Sequence, residues 1–225
     1  MIIINQSHRI ISKPEDPLQL IEDVARTCYK SEDFKKEGSA EKMVRMLVNR
    51  GHHAMIEFGD IIVHFTTNRG VTHELVRHRL CSFAQESTRY VNYNKKGMEF
   101  IRPVWLPDLK TGEYKFKHSC FPNQTHATTL FLESLVEAEE NYNNLINQGW
   151  RPEQAREVLP NALKTEINVK GNLREWRHIF SLRCSQAAHP QIRALMVPVL
   201  DELSKSIPVI FDDLVEKFIV GGVEA

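Results

Sequence analysis

Glycine-rich phosphate cradles are missing from this chain. Neither a Gly-x-Gly-x-x-Gly run nor a P-loop occurs, so a nucleotide would have to be held by side-chain cations rather than backbone amides. Apolar stretches are short, and none approaches the ~20 residues that a membrane-spanning helix needs. Met1 to Asn5 is a β-like run without the basic region and cleavage site of an export signal. Cysteine is scarce, with four in 225 residues. Cys28, Cys81, Cys120 and Cys184 have no paired spacing, which points to reduced thiols in a cytoplasmic protein and away from structural zinc. No charge sign is in excess: 29 basic residues meet 29 acidic ones. No overall field therefore draws the chain to nucleic acid or membrane, and any anion site must be local. Repeats and Gly/Ser-rich linkers are absent too, which leaves one domain spanning residues 1–225.

What is present is a 42% hydrophobic, 26% charged composition that can build one sizeable core. Ile2 to Ile4, Ile10–Ile11, Phe58 to Thr67 and Phe100 to Trp105 read as strands. Pro17 opens a helix through Leu20, Ile21, Val24 and Cys28. Ser39 is a candidate cap for a second, which Gly51 stops. After a polar loop to about Pro122, a long helix runs through Leu130 to Ile146. Pro152 starts another through Leu159, Asn172 caps a third, and Pro190 to Ser206 and Phe211 to Phe218 close the chain. Strands early and helices late predict an α+β fold, an antiparallel sheet packed with helices and a helix-rich second half.

The stretch from Glu74 to Tyr90 carries the densest chemistry. It holds an Arg77-His78-Arg79 triplet and, eight residues after Arg79, the Ser87-x-Arg89 pair. Val71, Leu75 and Val76 recur at helical spacing, so a helix is expected over about 70–79. On a helix Arg77 and Arg79 would lie about 200° apart and could not reach one small ligand from one face, so either the helix ends first or the two serve different groups. Glu86 to Asn92 reads as a strand on which Gln85, Ser87 and Arg89 form one polar row, suited to a ligand with an amide-like ring edge and a phosphate. His73 and His78 mimic a zinc-protease motif but stand five apart, which turns one about 140° from the other on a helix. No metal site is expected. Ser87 lacks the Gly-x-Ser-x-Gly elbow of a serine hydrolase. A basic helix end beside Tyr90 and Tyr93 leaves a nucleic-acid-binding module as the alternative reading.

Arg77, His78, Arg79, seven further residues, then Ser87, one residue and Arg89 reproduce a five-position signature, and the chain on this basis resembles the flavin-dependent thymidylate synthases. Gly51-His52 with Glu57, Arg156 and Arg183 also look like residues of that family. The resemblance implies conversion of dUMP to dTMP, with methylenetetrahydrofolate as one-carbon donor, FAD reduced by NADPH as hydride source, no cysteine nucleophile, and a homotetramer with shared active sites. It implies flavin contacts from His52, Glu57, Arg77, His78, Arg79, Asn172 and His178, with Arg174 a weaker candidate. It implies dUMP contacts from Glu74, Gln85, Ser87, Arg89, Arg156 and Arg183, the last also catalytic by stabilising the anionic uracil ring. Asn172 is equally explained as a helix cap. Ala54, Phe58 and Cys28 depart from the family pattern.

Overall fold

The computed structural model describes residues 1–95, 97–114 and 125–221. Its chain divides into two compact units. The first is Met1–Ser7, Phe65–Arg77 and Ala84–Ile167, and the second is His8–His64, His78–Phe83 and Asn168–Ala225. The expected polar loop lies largely outside the described residues, as does Cys120.

Strands β1 (Ile2–Ile4), β2 (Ser7–Ser12), β3 (Asp60–Asn68), β4 (Ser82–Gln85), β5 (Glu99–Ile101), β6 (Gly112–Glu113) and β7 (Lys164–Asn172) form two sheets. The larger is antiparallel and runs in the order β2-β3-β7-β4. The smaller, β5-β1-β6, is mixed: β1 is parallel to β5, with Ile3 opposite Phe100, and antiparallel to β6. The fold is α+β, with α1 (Pro17–Tyr29), α2 (Ser39–Asn49), α3 (Arg69–Leu75), α4 (His126–Asn147), α5 (Pro152–Ala155), α6 (Leu173–Arg183), α7 (Pro190–Ser206) and α8 (Asp212–Val215).

The two central strands follow the same plan. Ile61, Val63, Phe65 and Thr67 are buried at alternate positions of β3, and Thr165, Ile167, Val169 and Gly171 at alternate positions of β7, the period of a strand with one covered face. Each ends on an asparagine that starts a helix. Asn68 Oδ1 accepts from the Val71 N–H at 2.8 Å and launches α3; Asn172 Oδ1 accepts from the Glu175 N–H at 2.8 Å and launches α6. These caps matter for function because α3 leads into Glu74 and Arg77 while α6 carries Glu175, His178 and Arg183.

In the first unit, Ile3, Phe100, Leu132, Tyr142 and Leu163 belong to one buried cluster, and α4 packs on α5. In the second, α6 packs on α7 and α8; Phe180 meets Trp176 at a tilt and Phe211 edge-on, and Arg177 grips Asp213 bidentately at 2.7 Å on both arms. Between α1 and α2, Glu22 and Arg26 form a buried pair at 2.6 Å, and Ser39 donates to Glu22 at 2.6 Å. Ser39 is therefore not the expected cap. Gly38, with φ +72°, holds that position, and the Ser39 hydroxyl is consumed by the buried carboxylate.

The helix expected from Pro152 through Leu159 stops after four residues and tightens into a 3₁₀ turn, Arg156–Val158. β7 was not anticipated at all. Its alternation of Thr165, Ile167 and Val169 with Lys164, Glu166, Asn168 and Lys170 is the signal that marks it. No helix among the described residues is long and apolar enough to cross a membrane.

Candidate active site

The helix carrying the triplet ends before it. α3 stops at Leu75 with Val76 as its C-cap, and the chain then turns, with the Cys81 N–H donating to the His78 carbonyl at 3.0 Å. Arg77, His78 and Arg79 therefore lie in a turn, and the opposed-face argument for a regular helix does not apply to them. Arg77 and Arg79 are exposed, and no carboxylate pairs with either among the described residues. His78 behaves in the opposite way: it is 5% exposed, its backbone turned so that the ring points inward against α6.

The polar row is also corrected. β4 ends at Gln85, and after the Glu86 N–H bonds the Glu166 carbonyl at 2.8 Å the chain leaves the sheet. Ser87 causes the departure. Its carbonyl accepts from the Tyr90 and Val91 amides at 3.1 and 3.0 Å, and its hydroxyl accepts from the Arg89 N–H at 3.3 Å, a local turn that competes with strand pairing. Arg89 is exposed over the Tyr90 ring, 5.5 Å from its centroid. The Gln85 amide nitrogen donates to two buried threonines, Thr72 at 3.0 Å and Thr165 at 3.4 Å, which fixes the side chain.

In the first unit Arg156 lines a cavity of about 240 Å³ with Arg69, Thr88, Glu157 and Leu159. Arg156 has only a loose, solvent-exposed partner in Glu157 at 3.6 Å, and no carboxylate pairs with Arg69 among the described residues. Two guanidiniums and a hydroxyl outweigh the one Glu157 carboxylate in this lining, which favours an anion there. Sequence reasoning missed Arg69 and Thr88; Thr88 stands inside the signature, but a lone arginine at position 69 carries no motif. A second cavity in this unit, about 280 Å³, is lined by Glu86, Glu99 and Glu166 around Lys164 and is acidic, so it repels what the first attracts. Glu74, half-buried on α3, and Gln85, Ser87 and Arg89 complete the first unit's set of expected nucleotide residues.

The second unit holds His52, Glu57, His78, Arg79, Asn172, His178 and Arg183. His52 is exposed at the start of the short helical turn His53–Glu57, and Glu57 pairs with Arg174 at 2.6 Å, both half-exposed. Arg183, the last residue of α6, directs its Nε–H to His78 Nε2 at 3.1 Å. The His78 ring meets that of His178 edge-on at 5.8 Å, and its Nδ1 lies 3.5 Å from Oε1 of Glu175, itself 5% exposed. Burial, with Arg183 and His178 nearby, lowers His78 to a pKa of about 4, so the ring is neutral at pH 7. Ligating atoms of His78, Glu175 and His178 all lie within 4.8 Å of one another, a spacing a metal could use, yet the Arg183 guanidinium against the same imidazole opposes a further positive charge.

Cys81 sits beside this cluster, its sulfur 3.1 Å from where a Cβ on Gly171 would stand, so a side chain at 171 would press on the thiol. Burial, with the Glu175 carboxylate nearby, raises the Cys81 thiol to a pKa of about 12, and burial raises Cys184 equally. Neither is a nucleophile at neutral pH.

The described residues thus present an α+β fold with exposed guanidiniums in both units, a neutral buried imidazole at His78 and two buried, protonated thiols at Cys81 and Cys184. The chain matches the family described as "Thymidylate synthase complementing protein" over residues 9–209, and it belongs to that family. It is 31% identical over 212 residues to the flavin-dependent thymidylate synthase of Mycobacterium tuberculosis strain H37Rv, and 32% identical over 210 residues to that of Corynebacterium efficiens, covering 91% of this chain and 82% of each relative. Its fold is shared with the UMP/dUMP methylase PolB of Streptomyces cacaoi (TM-score 0.77, 23% identity, 97% of this chain and 98% of that one). It is shared also with thymidylate synthase X of Helicobacter pylori, solved with FAD and dUMP (TM-score 0.72, 21% identity, 93% and 98%). The alternative of a nucleic-acid-binding module finds no support among these proteins.

Proposed function

We propose that this chain is a flavin-dependent thymidylate synthase that converts dUMP to dTMP, with methylenetetrahydrofolate as one-carbon donor and FAD reduced by NADPH. The observation that carries the reading is the family match over residues 9–209, which contains every residue of the signature and of the two arginine-bearing segments that follow it. The donor set fits both ligands. Exposed Arg77 and Arg79 suit the pyrophosphate of a dinucleotide, with His52, Glu57, Asn172 and His178 supplying further polar contacts. Asn172 spends its oxygen on the α6 cap, which leaves its amide N–H groups for the flavin. FAD held by these residues would, once reduced by NADPH, supply the hydride that turns the transferred methylene into a methyl and return to its oxidised form.

The remaining steps rest on side chains. Arg156 and Arg69, with Ser87, Thr88 and Arg89, hold the dUMP phosphate, and the Gln85 carbonyl accepts from the uracil N3–H, with Glu74 alongside. Arg183, its Nε–H directed to His78, stabilises negative charge developing on the uracil ring. Buried, protonated Cys81 and Cys184 fit a mechanism with no thiolate attack. The units act as one synthase domain in a homotetramer with shared sites, and free Cys28, Cys81 and Cys184 fit a cytoplasmic location.

Purified protein is expected to absorb as a flavoprotein and to form dTMP from dUMP, methylenetetrahydrofolate and NADPH; a colourless protein that takes up no FAD and forms no dTMP overturns the reading. Arg183→Ala should keep flavin and lose turnover by about 10²–10³-fold. Light scattering tests the tetramer.

A further inference from the structure

Arg183 can only donate, so the hydrogen bond from its Nε–H to His78 Nε2 requires that Nε2 carry a lone pair. A neutral imidazole then has its proton on Nδ1. That N–H is buried with the ring, and the Glu175 carboxylate, itself buried, brings its Oε1 to 3.5 Å from Nδ1. Glu175 and Arg183 stand eight residues apart on α6, so a single rigid helix presents the acid and the guanidinium to opposite nitrogens of one imidazole. Charged or titratable groups near the pair among the described residues include His178, edge-on to the ring, Arg174 beside Glu175, and the Cys81 thiol.

We propose that Glu175 is a positioning residue for the synthase reaction: it locks His78 in the Nδ1–H tautomer so that Nε2 anchors the Arg183 side chain. The inference rests on the reading of Arg183 as the uracil-facing cation. Without the carboxylate, the buried Nδ1–H has lost the acceptor that faces it, and an imidazole relieves this by moving its proton to Nε2. Two donors then oppose each other, and the guanidinium leaves its anchored orientation. A 1 Å displacement of the group that stabilises the developing charge falls more heavily on kcat than on ground-state binding.

The test compares Glu175→Leu, which fills the site but cannot accept a hydrogen bond, with Glu175→Gln, whose carbonyl can. In the flavin-loaded full chain, Glu175→Leu should lower kcat about tenfold or more while dUMP KM and flavin content stay within about twofold. Glu175→Gln should restore kcat to within about threefold. Nitrogen-15 spectra of histidine-labelled protein should show His78 as the Nδ1–H tautomer in the native chain and in Glu175→Gln, and as Nε2–H in Glu175→Leu. Native His78 with its proton on Nε2, or a folded Glu175→Leu enzyme with unchanged kcat, overturns the proposal. If Glu175→Leu does not fold, the native tautomer alone decides. Arg183→Lys separates the two layers: normal turnover there removes the role of Arg183 while the tautomer result stands. Lost turnover there with a normal Glu175→Leu enzyme removes only the positioning role.

Discussion

Replacing Arg69 with alanine tests the phosphate cradle most sharply. Arg69 is half-buried beside Arg156 and Thr88 in a cavity of about 240 Å³, and no carboxylate among the described residues compensates it. A hydrogen bond to a charged group contributes about 1.5–3 kcal/mol, and 1.4 kcal/mol is tenfold in affinity. Because two like charges line the empty cavity, removing one also relieves their repulsion, which draws the loss toward the lower figure. The dUMP dissociation constant should therefore rise about 10- to 30-fold. Calorimetric titration of the flavin-loaded protein with dUMP measures this. The same titration with deoxyuridine, which has no phosphate, is the control and should give equal affinities for native and variant protein. Unchanged dUMP affinity in the variant, or an equal loss for deoxyuridine, would refute the assignment.

Three further outcomes are expected. His78 binds its proton near pH 4 when folded and near 6.5 in a free chain, so the unfolded state takes up the extra proton between these values. Its contribution to stability is complete above pH 6.5 and falls by up to roughly 1.4 kcal/mol per pH unit as pH drops toward 4; a chemical-denaturation midpoint that His78→Gln leaves just as pH-dependent between 7 and 5 contradicts this. Asn172→Ala should lower stability by about 1 kcal/mol and Asn172→Ser much less, while both retain flavin poorly; full flavin retention by the serine variant would leave Asn172 with the cap alone. Glu22→Ala strands the buried Arg26 cation and should cost about 3 kcal/mol or more, read as a fall in Tm without change in flavin affinity at low temperature.

Much of this architecture is legible in residue order. Pro17, Pro190 and Asn172 announce helix starts because a missing N–H or a capping oxygen acts within one turn, and all three fall where expected. The alternation in β3 was equally readable. β7 was overlooked because Lys164, Glu166 and Lys170 dilute its apolar positions, two of which are Thr165 and Gly171. The strand expected over Glu86 to Asn92 failed for a local reason. Thr88, Tyr90 and Val91 favour strands, but the Ser87 hydroxyl takes the Arg89 amide and turns the chain. The site's residue types were visible in the signature, whereas Arg69 was not.

By itself the sequence determined the cast: which arginines, histidines and amides are available, that no glycine cradle could replace them, and to which family the spacing belongs. These follow from residue identity and short-range spacing, which need no folded context. Only tertiary structure decided where each member stands and what surrounds it. Residues 69 and 156 share a cavity, and 78 meets 175 and 183, across sequence separations of about a hundred that no local pattern encodes. Burial then sets the chemistry, making His78 neutral and Cys81 inert while the neighbouring Arg77 and Arg79 stay in water, because the energy of a charge depends on its surroundings and not on its place in the chain.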